Sequence, residues 1–245
     1  MSKLFWSGVR YYAHNADLSG YANTVSVDHT YAMVETTNFN SGGAQEFIPG
    51  LESTSIEAGG QIDAGGAGLP DDAFWGLRRV VAARTIGPNN SGAVASVAYF
   101  TKASITDVKR FGAIGEILPW NESSQGSWPL VRGAFLSAAA TAVTADGNGT
   151  AVQLTGTSAT QRLYAAIHVL AYSGFTSVAA KIQSDDSGGF SSGTDRLTFT
   201  TITGVGSEVI RESSVGANAD DQYRVVWDVT GSGSISAVVV VGVAG

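Results

Sequence analysis

The sequence predicts a mainly β protein with one short helix, and three observations carry that prediction. Alternation of apolar and polar residues with period two recurs along the chain, small and β-branched residues dominate it, and one segment alone shows helical spacing. The clearest alternation lies in residues 23–63. Val25, Val27, His29, Tyr31 and Met33 fall on one face of a first strand, with Ser26, Asp28 and Thr30 on the other, which predicts one buried face. A second strand gathers Ile56, Ala58, Gly60 and Ile62 on its apolar side and Ser55, Glu57, Gln61 and Asp63 on its polar side. The connection between them, residues 38–50, is far longer than a chain reversal needs, and loops of that length are often functional.

The flanking segments follow in order. Residues 3–22 mix aromatics with His14, Asn15 and Asp17 without a period and read as an extended arm. Past a glycine-rich breaker at 64–68, residues 69–79 suit a short helix. Pro70 stands at its start, Asp71 and Asp72 in its first turn, and Arg78 and Arg79 at its end. Leu69, Ala73, Phe74 and Leu77 form one apolar stripe for packing on a sheet. Strands are predicted at 79–86, 93–102, 108–118 and 130–137, the first two joined by the turn cluster at 87–92.

A small-residue run at 138–141 marks a boundary, dividing the chain into 1–138 and 139–245. The second part reads as a β-sandwich, with strands at 151–154, 162–172, 178–183, 196–202, 208–212, 223–229 and 235–243. Its polar, glycine-rich turns are expected at 184–189 and 231–234.

With 245 residues the chain can bury a sizeable core without staples. It has no cysteine, which excludes disulfides, thiolate chemistry and cysteine-bound zinc. The net charge of −7, without any cluster of Lys and Arg, argues against a DNA-binding surface. Residues 1–10 lack the apolar run of an export signal, and the longest such run, 237–244, is too short to cross a bilayer. The expectation is a chain made in a cytoplasm, with no membrane anchor.

Candidate chemistry falls away on inspection. Gly189-Phe190-Ser191-Ser192-Gly193 matches the nucleophile-elbow pattern, but no helix follows it, so a turn tip is the better account. The pairs Asp71-Asp72, Asp185-Asp186 and Asp220-Asp221 are sequence neighbours whose side chains diverge, which suits helix starts and turns better than acid–base catalysis. Residues 146–150 echo the opening of a calcium loop, yet Ala151 and Thr157 occupy the positions of its glycine and bidentate glutamate. His14, His29 and His168 are scattered. Trp120 and Trp128 flank residues 121–127, which fits a sugar-stacking loop or, equally, buried or interface anchors. No catalytic residue, cofactor or metal is therefore expected, and no enzyme.

The first part resembles the tail tube protein, or major tail protein, of long-tailed bacteriophages. The pieces that carry the resemblance are Asp17-Leu18-Ser19-Gly20-Tyr21-Ala22-Asn23 leading into the first strand, Glu35-Thr36-Thr37-Asn38-Phe39 closing it, Phe47-Ile48-Pro49-Gly50-Leu51, Ser55-Ile56, and Gly115-Glu116-Ile117-Leu118-Pro119. It spans about residues 1–137. The resemblance implies a split β-barrel or sandwich with one flanking helix, followed here by the second β-sandwich on the outside of a tube. It implies a structural virion protein forming stacked rings, usually six-fold, through which the genome passes without sequence-specific binding. Other tail proteins at the tube ends would be its further partners, and its location the virion tail after synthesis in the host bacterium. The long turn would then reach a neighbouring subunit or the next ring, with Phe39, Phe47, Ile48, Pro49 and Leu51 as its subunit or ring interface residues. A loop folded back on its own sheet is the competing account of that turn. A carbohydrate-binding β-sandwich module is the alternative for the whole chain.

Overall fold

The computed structural model describes residues 8–38, 41–42, 44–63, 65–66, 68–89, 92–139 and 141–245. In chain order the elements are β1 (Arg10–Ala13), β2 (Ala16–Asp17), β3 (Ala22–Glu35), β4 (Phe47–Gln61), α1 (Pro70–Gly76), β5 (Val81–Gly87), β6 (Val97–Arg110), β7 (Pro119–Gly126) and β8 (Val131–Ser137). There follow the short β9 (Ala142–Val143), β10 (Gly147–Asn148) and β11 (Val152–Gln153), then β12 (Arg162–Asp185), β13 (Thr194–Thr198), β14 (Gly206–Arg211) and β15 (Gln222–Ala244). The protein is mainly β, as its alternation predicts, and every ladder between these strands is antiparallel.

The N-terminal portion is a run of strands in the order β3-β4-β7-β6-β5-β1-β2. Residues 10–17 are not an extended arm: they form a tight hairpin that pairs with β5, burying Tyr11, Tyr12 and Ala13. Alternating backbone without an obvious sequence period arises because both faces of β1 are covered.

Helix α1 starts with proline and carries Asp71 and Asp72 in its first turn, where a missing N–H costs nothing and negative charge meets the helix dipole. It ends at Gly76, before the arginines. Its buried Ala73 and Phe74, with Leu77 just beyond, pack on the sheet, and Phe74 meets Trp120 at 4.8 Å between ring centroids.

Strand β6 splits the sheet. Tyr99 to Ser104 pair with β5 on one edge, while on the other edge Val97–Phe100 pair with β8 and residues 103–110 with β7. Through β8 the ladder crosses residue 138, because Arg132–Ser137 pair with Val239–Val243 of β15. Strand β15 in turn pairs with β12 along almost its whole length, and β14 and β13 flank the two halves of β12. The core accordingly includes a cluster drawn from both sides of residue 138: Tyr12, Phe100, Val131 and Phe135 with Tyr164, Val209, Val238 and Val240.

Two sequence expectations change here. The apolar stretch 108–118 is not one strand: β6 ends at Arg110, residues 111–118 form an exposed loop, and β7 follows. Strand β7 escapes a hydrophobic reading because its inward face is Trp120, Glu122 and Ser124, two of them polar. Likewise residues 231–234 are not a turn between strands. They lie within β15, opposite Ser173 to Phe175 of β12, where both strands bend through register shifts and Gly174 and Gly231 take positive φ.

At that bend Gly233 lies so close to its neighbour that a Cβ would sit 2.0 Å from the Ser173 carbonyl oxygen, whereas Gly147 has open space. Replacing Gly233 by Ala should therefore cost about 1–3 kcal/mol through overpacking, and Gly147→Ala under about 0.5 kcal/mol, read as shifts in the urea midpoint.

Candidate assembly surface

The hairpin of β3 and β4 divides into a supported root and an unsupported arm. At the root, Ser55 to Gln61 of β4 pair on one side with β3 and on the other with β7, and Val25, Ile56 and Ala58 are buried. Beyond Ser55, β4 pairs only with β3, through Glu35↔Phe47 at the far end. At ~3.3 Å per residue, this two-stranded ribbon extends roughly 25 Å past the last β7 pairing.

The base of the arm, just beyond Ser55, is braced by polar contacts. The Leu130 N–H donates to Glu52 Oε1 at 2.9 Å, His29 Nε2 lies 3.1 Å from the same oxygen, and Gln125 Nε2 donates to the Thr54 carbonyl at 2.8 Å.

The arm has no core beneath it. Tyr31, Met33, Val34, Phe47, Ile48 and Leu51 are all exposed, so the face expected to be buried along β3 is buried only at Val25, with Val27 partly covered. The apolar residues occupy both sides of the ribbon, since Met33 pairs with Pro49 while the next position pairs Val34 with Ile48. A register shift between Tyr31 and Met33 sets Gly50 and Leu51 opposite Ala32 alone, and Leu51 projects from this bulge at 86% exposure. Of the interface residues expected from sequence, Phe47, Ile48, Pro49 and Leu51 therefore share this arm, and Phe39 lies outside the described residues. An isolated two-stranded ribbon is marginal in water, and an apolar one is a pairing surface.

Sequence reasoning missed a second exposed apolar group. Phe111, Ile114, Ile117 and Leu118 stand out from the β6–β7 loop, and Trp75 from α1 nearby. Phe111-Gly112-Ala113-Ile114-Gly115-Glu116-Ile117-Leu118 does not alternate, and its two glycines before Pro119 were the available sign of a loop.

A buried ionic network holds the sheet that carries the arm. Arg84 of β5 donates through Nη2 and Nε to Glu122 Oε1 of β7, at 2.9 and 3.2 Å. Ser124 Oγ donates to that oxygen and Tyr11 Oη of β1 to Oε2 at 2.9 Å. Burial, and then the Glu122 carboxylate, push the Tyr11 hydroxyl well above its ordinary pKa, so it remains a donor. Burial works against the Arg84 charge, yet Glu122 and Tyr11 outweigh it and hold its pKa up.

A second polar seam ties β1 and β5 to β12 and β14. His168 Nδ1 donates to the His14 carbonyl at 2.7 Å, which leaves Nε2 to accept from Thr85 Oγ1 at 2.8 Å. Ser207 Oγ accepts from the Ala83 N–H at 3.2 Å and meets His14 Nδ1 at 2.9 Å.

The remaining candidates have structural accounts. Trp120 is fully buried and donates to the Gln61 carbonyl at 3.0 Å, so residues 121–126 are strand and not a sugar loop. Trp128 is covered by Lys102 and Arg211, and packs edge-on against Tyr164. Ser191 lies at a turn where the Ser187 and Ser192 N–H groups donate to the buried Asp185 carboxylate. Asp146 accepts from the Val229 N–H. Among the described residues no group of three metal-ligating side chains converges.

No protein-family model matches the chain, and no curated protein matches it. Some solved structures are similar in fold. A chain in the virion of a native gene transfer agent particle aligns over 54% of this chain and all of its own, at 12% identity and a TM-score of 0.43. A chain from the tail of an empty gene transfer agent particle, refined with C6 helical symmetry, aligns over 45% of this chain and 80% of its own, at 15% identity and a TM-score of 0.36. The Dit protein of phage SPP1, described as a paradigm of the hub adsorption apparatus in phages infecting Gram-positive hosts, aligns over 96% of this chain and 99% of its own. Its identity is 12% and its TM-score 0.37. All three neighbours come from virions, tails or a phage hub. At TM-scores below 0.5 these likenesses carry no weight for function.

Removing one partner of the buried pair by Glu122→Ala strands the Arg84 charge and should cost about 3–5 kcal/mol in urea unfolding. The His168 seam sets a pH dependence. Burial drives its pKa from 6.5 down to about 3, so the unfolded chain takes up a proton that the folded one refuses. Stability is thus full above pH 6.5 and falls as pH drops towards 3, with His14, lowered by burial and by Arg84, adding to the same slope. Urea midpoints at pH 7 and pH 5 should show the loss, and His168→Gln should flatten it.

Proposed function

We propose that this protein is a structural subunit of a bacteriophage tail that assembles with its own copies into stacked rings, six in each, to form the tail tube through which the genome is delivered. The observation that carries this reading is the arm: an apolar two-stranded ribbon, exposed on both sides, whose burial requires another chain. The resemblance of residues 17–23, 35–39, 47–51 and 115–119 to tail tube proteins supports it. In this reading residues 1–138 form the tube-building unit and residues 139–245 its exterior, joined through β8 and β15. Phe39, Phe47, Ile48, Pro49 and Leu51 lie in the subunit or ring interface. The protein works without catalysis or cofactor and needs no membrane anchor. It is made in the host cytoplasm, resides in the virion and meets other tail proteins at the tube ends. Its acidic charge lets DNA slide past without sequence-specific binding.

The test is negative-stain electron microscopy with sedimentation across a concentration series. Wild-type protein should form rings or tubes with a central hole. Ile48→Asp combined with Leu51→Asp, both exposed, should leave the circular dichroism spectrum unchanged and abolish the polymers. Polymers that persist in that variant overturn the role of the arm.

A further inference from the structure

Resting on the assembly reading above, we infer that the arm docks on the opposite end of the sheet in a second copy, on the surface made by residues 111–118 with Trp75, Arg78 and Arg79. The exposed large apolar side chains are the first ground. Among the described residues, six stand on the arm and five, Trp75, Phe111, Ile114, Ile117 and Leu118, at this other end, with only Val80, Val81, Val205 and Val215 elsewhere. Such residues collect in two places on the molecule, and each place lacks internal cover.

Register sets the two places apart. The arm tip pairs Glu35 with Phe47, while β4 leaves the sheet at Gln61, which pairs with Pro119 at the end of the loop. Phe47 and Gln61 are separated by roughly 45 Å of strand at ~3.3 Å per residue. The Ile62 N–H donates to the Leu118 carbonyl at 2.8 Å, and Trp75 lies 5.8 Å from the Arg110 guanidinium, so helix and loop belong to one surface.

Charge selects which place meets which. Between Arg10 and Arg78 the sequence contains no lysine or arginine, and the hairpin carries Asp28, Glu35, Glu46, Glu52 and Glu57. Two arms brought together would oppose carboxylates without a cation to answer them, which is unfavourable. The far end carries both signs, but its acids are largely committed: Asp71 pairs with Arg110 at 3.3 Å, and Asp72 accepts from the Gly66 N–H, while Glu116 is exposed. Arg78 and Arg79 have no carboxylate within ion-pair distance among the described residues. Arg78 lies 3.5 Å over the Trp75 ring, giving a cationic aromatic surface suited to a carboxylate-bearing apolar ribbon. The contact is head-to-tail, and because it uses two different surfaces it propagates instead of closing on a pair.

Two variants test this. The first carries Ile48→Asp and Leu51→Asp on the arm. The second carries Arg78→Glu, Arg79→Glu and Ile114→Asp at the far end, all at exposed positions, with circular dichroism to verify folding. Each alone should fail to form tubes. Mixed, they should yield a species of twice the mass of either and nothing longer, since one intact arm meets one intact counter-surface. Tubes from the far-end variant, or a mixture that does not associate, overturn the inference, and the assembly reading survives if the arm variant still fails. Tubes from both variants overturn that reading as well.

Discussion

Everything in the N-terminal sheet depends on one buried ion pair. Arg84 and Glu122 are both excluded from water, and each would be prohibitively costly there alone. Together with Tyr11 and Ser124 they join β5, β7 and β1 at a point where the core would otherwise be apolar. The pair forces β7 to turn a carboxylate inward, and β7 is the strand on which the supported half of β4 rests. The arm is thus a lever whose fulcrum is an ionic contact, with Glu52 and Gln125 as its outer braces.

The same pair explains why much of the fold was legible and β7 was not. Period-two alternation gave the fold class, both strands of the long hairpin and most later strands, because their inward faces are aliphatic. The helix was legible from Pro70, its acidic first turn and the stripe of Ala73, Phe74 and Leu77. In β7 the inward residues Glu122 and Ser124 look like surface, while outside it Ile114 and Ile117 look like core. Residue type reports burial only when the partner is water or hydrocarbon, and here the partners were a guanidinium and, in the proposed assembly, a second chain.

Tyr31 and Met33 teach a related lesson. Their alternation correctly marked a strand, but alternation alone does not bury the apolar face, and here both side chains stay exposed. The exposed apolar positions Phe47, Ile48 and Leu51 were accessible to sequence reasoning because they flank a long polar loop. The continuity of β12 and β15 was not accessible, since a glycine cluster that bends paired strands has the same composition as one that ends them.

The crossing of the ladder at β8 and β15 gives the two portions of the chain a common frame, with His168 and Thr85 as a polar stitch between them. Within that frame the arm and the β6–β7 loop lie at opposite ends of β4 and differ in chemistry, one end carrying carboxylates without lysine or arginine and the other exposing Arg78 and Arg79. A body built this way has a vector. In the proposed assembly a stack of such bodies would grow by distinct events at its two ends, so a single capping protein shaped to one end would arrest extension there while leaving the other open.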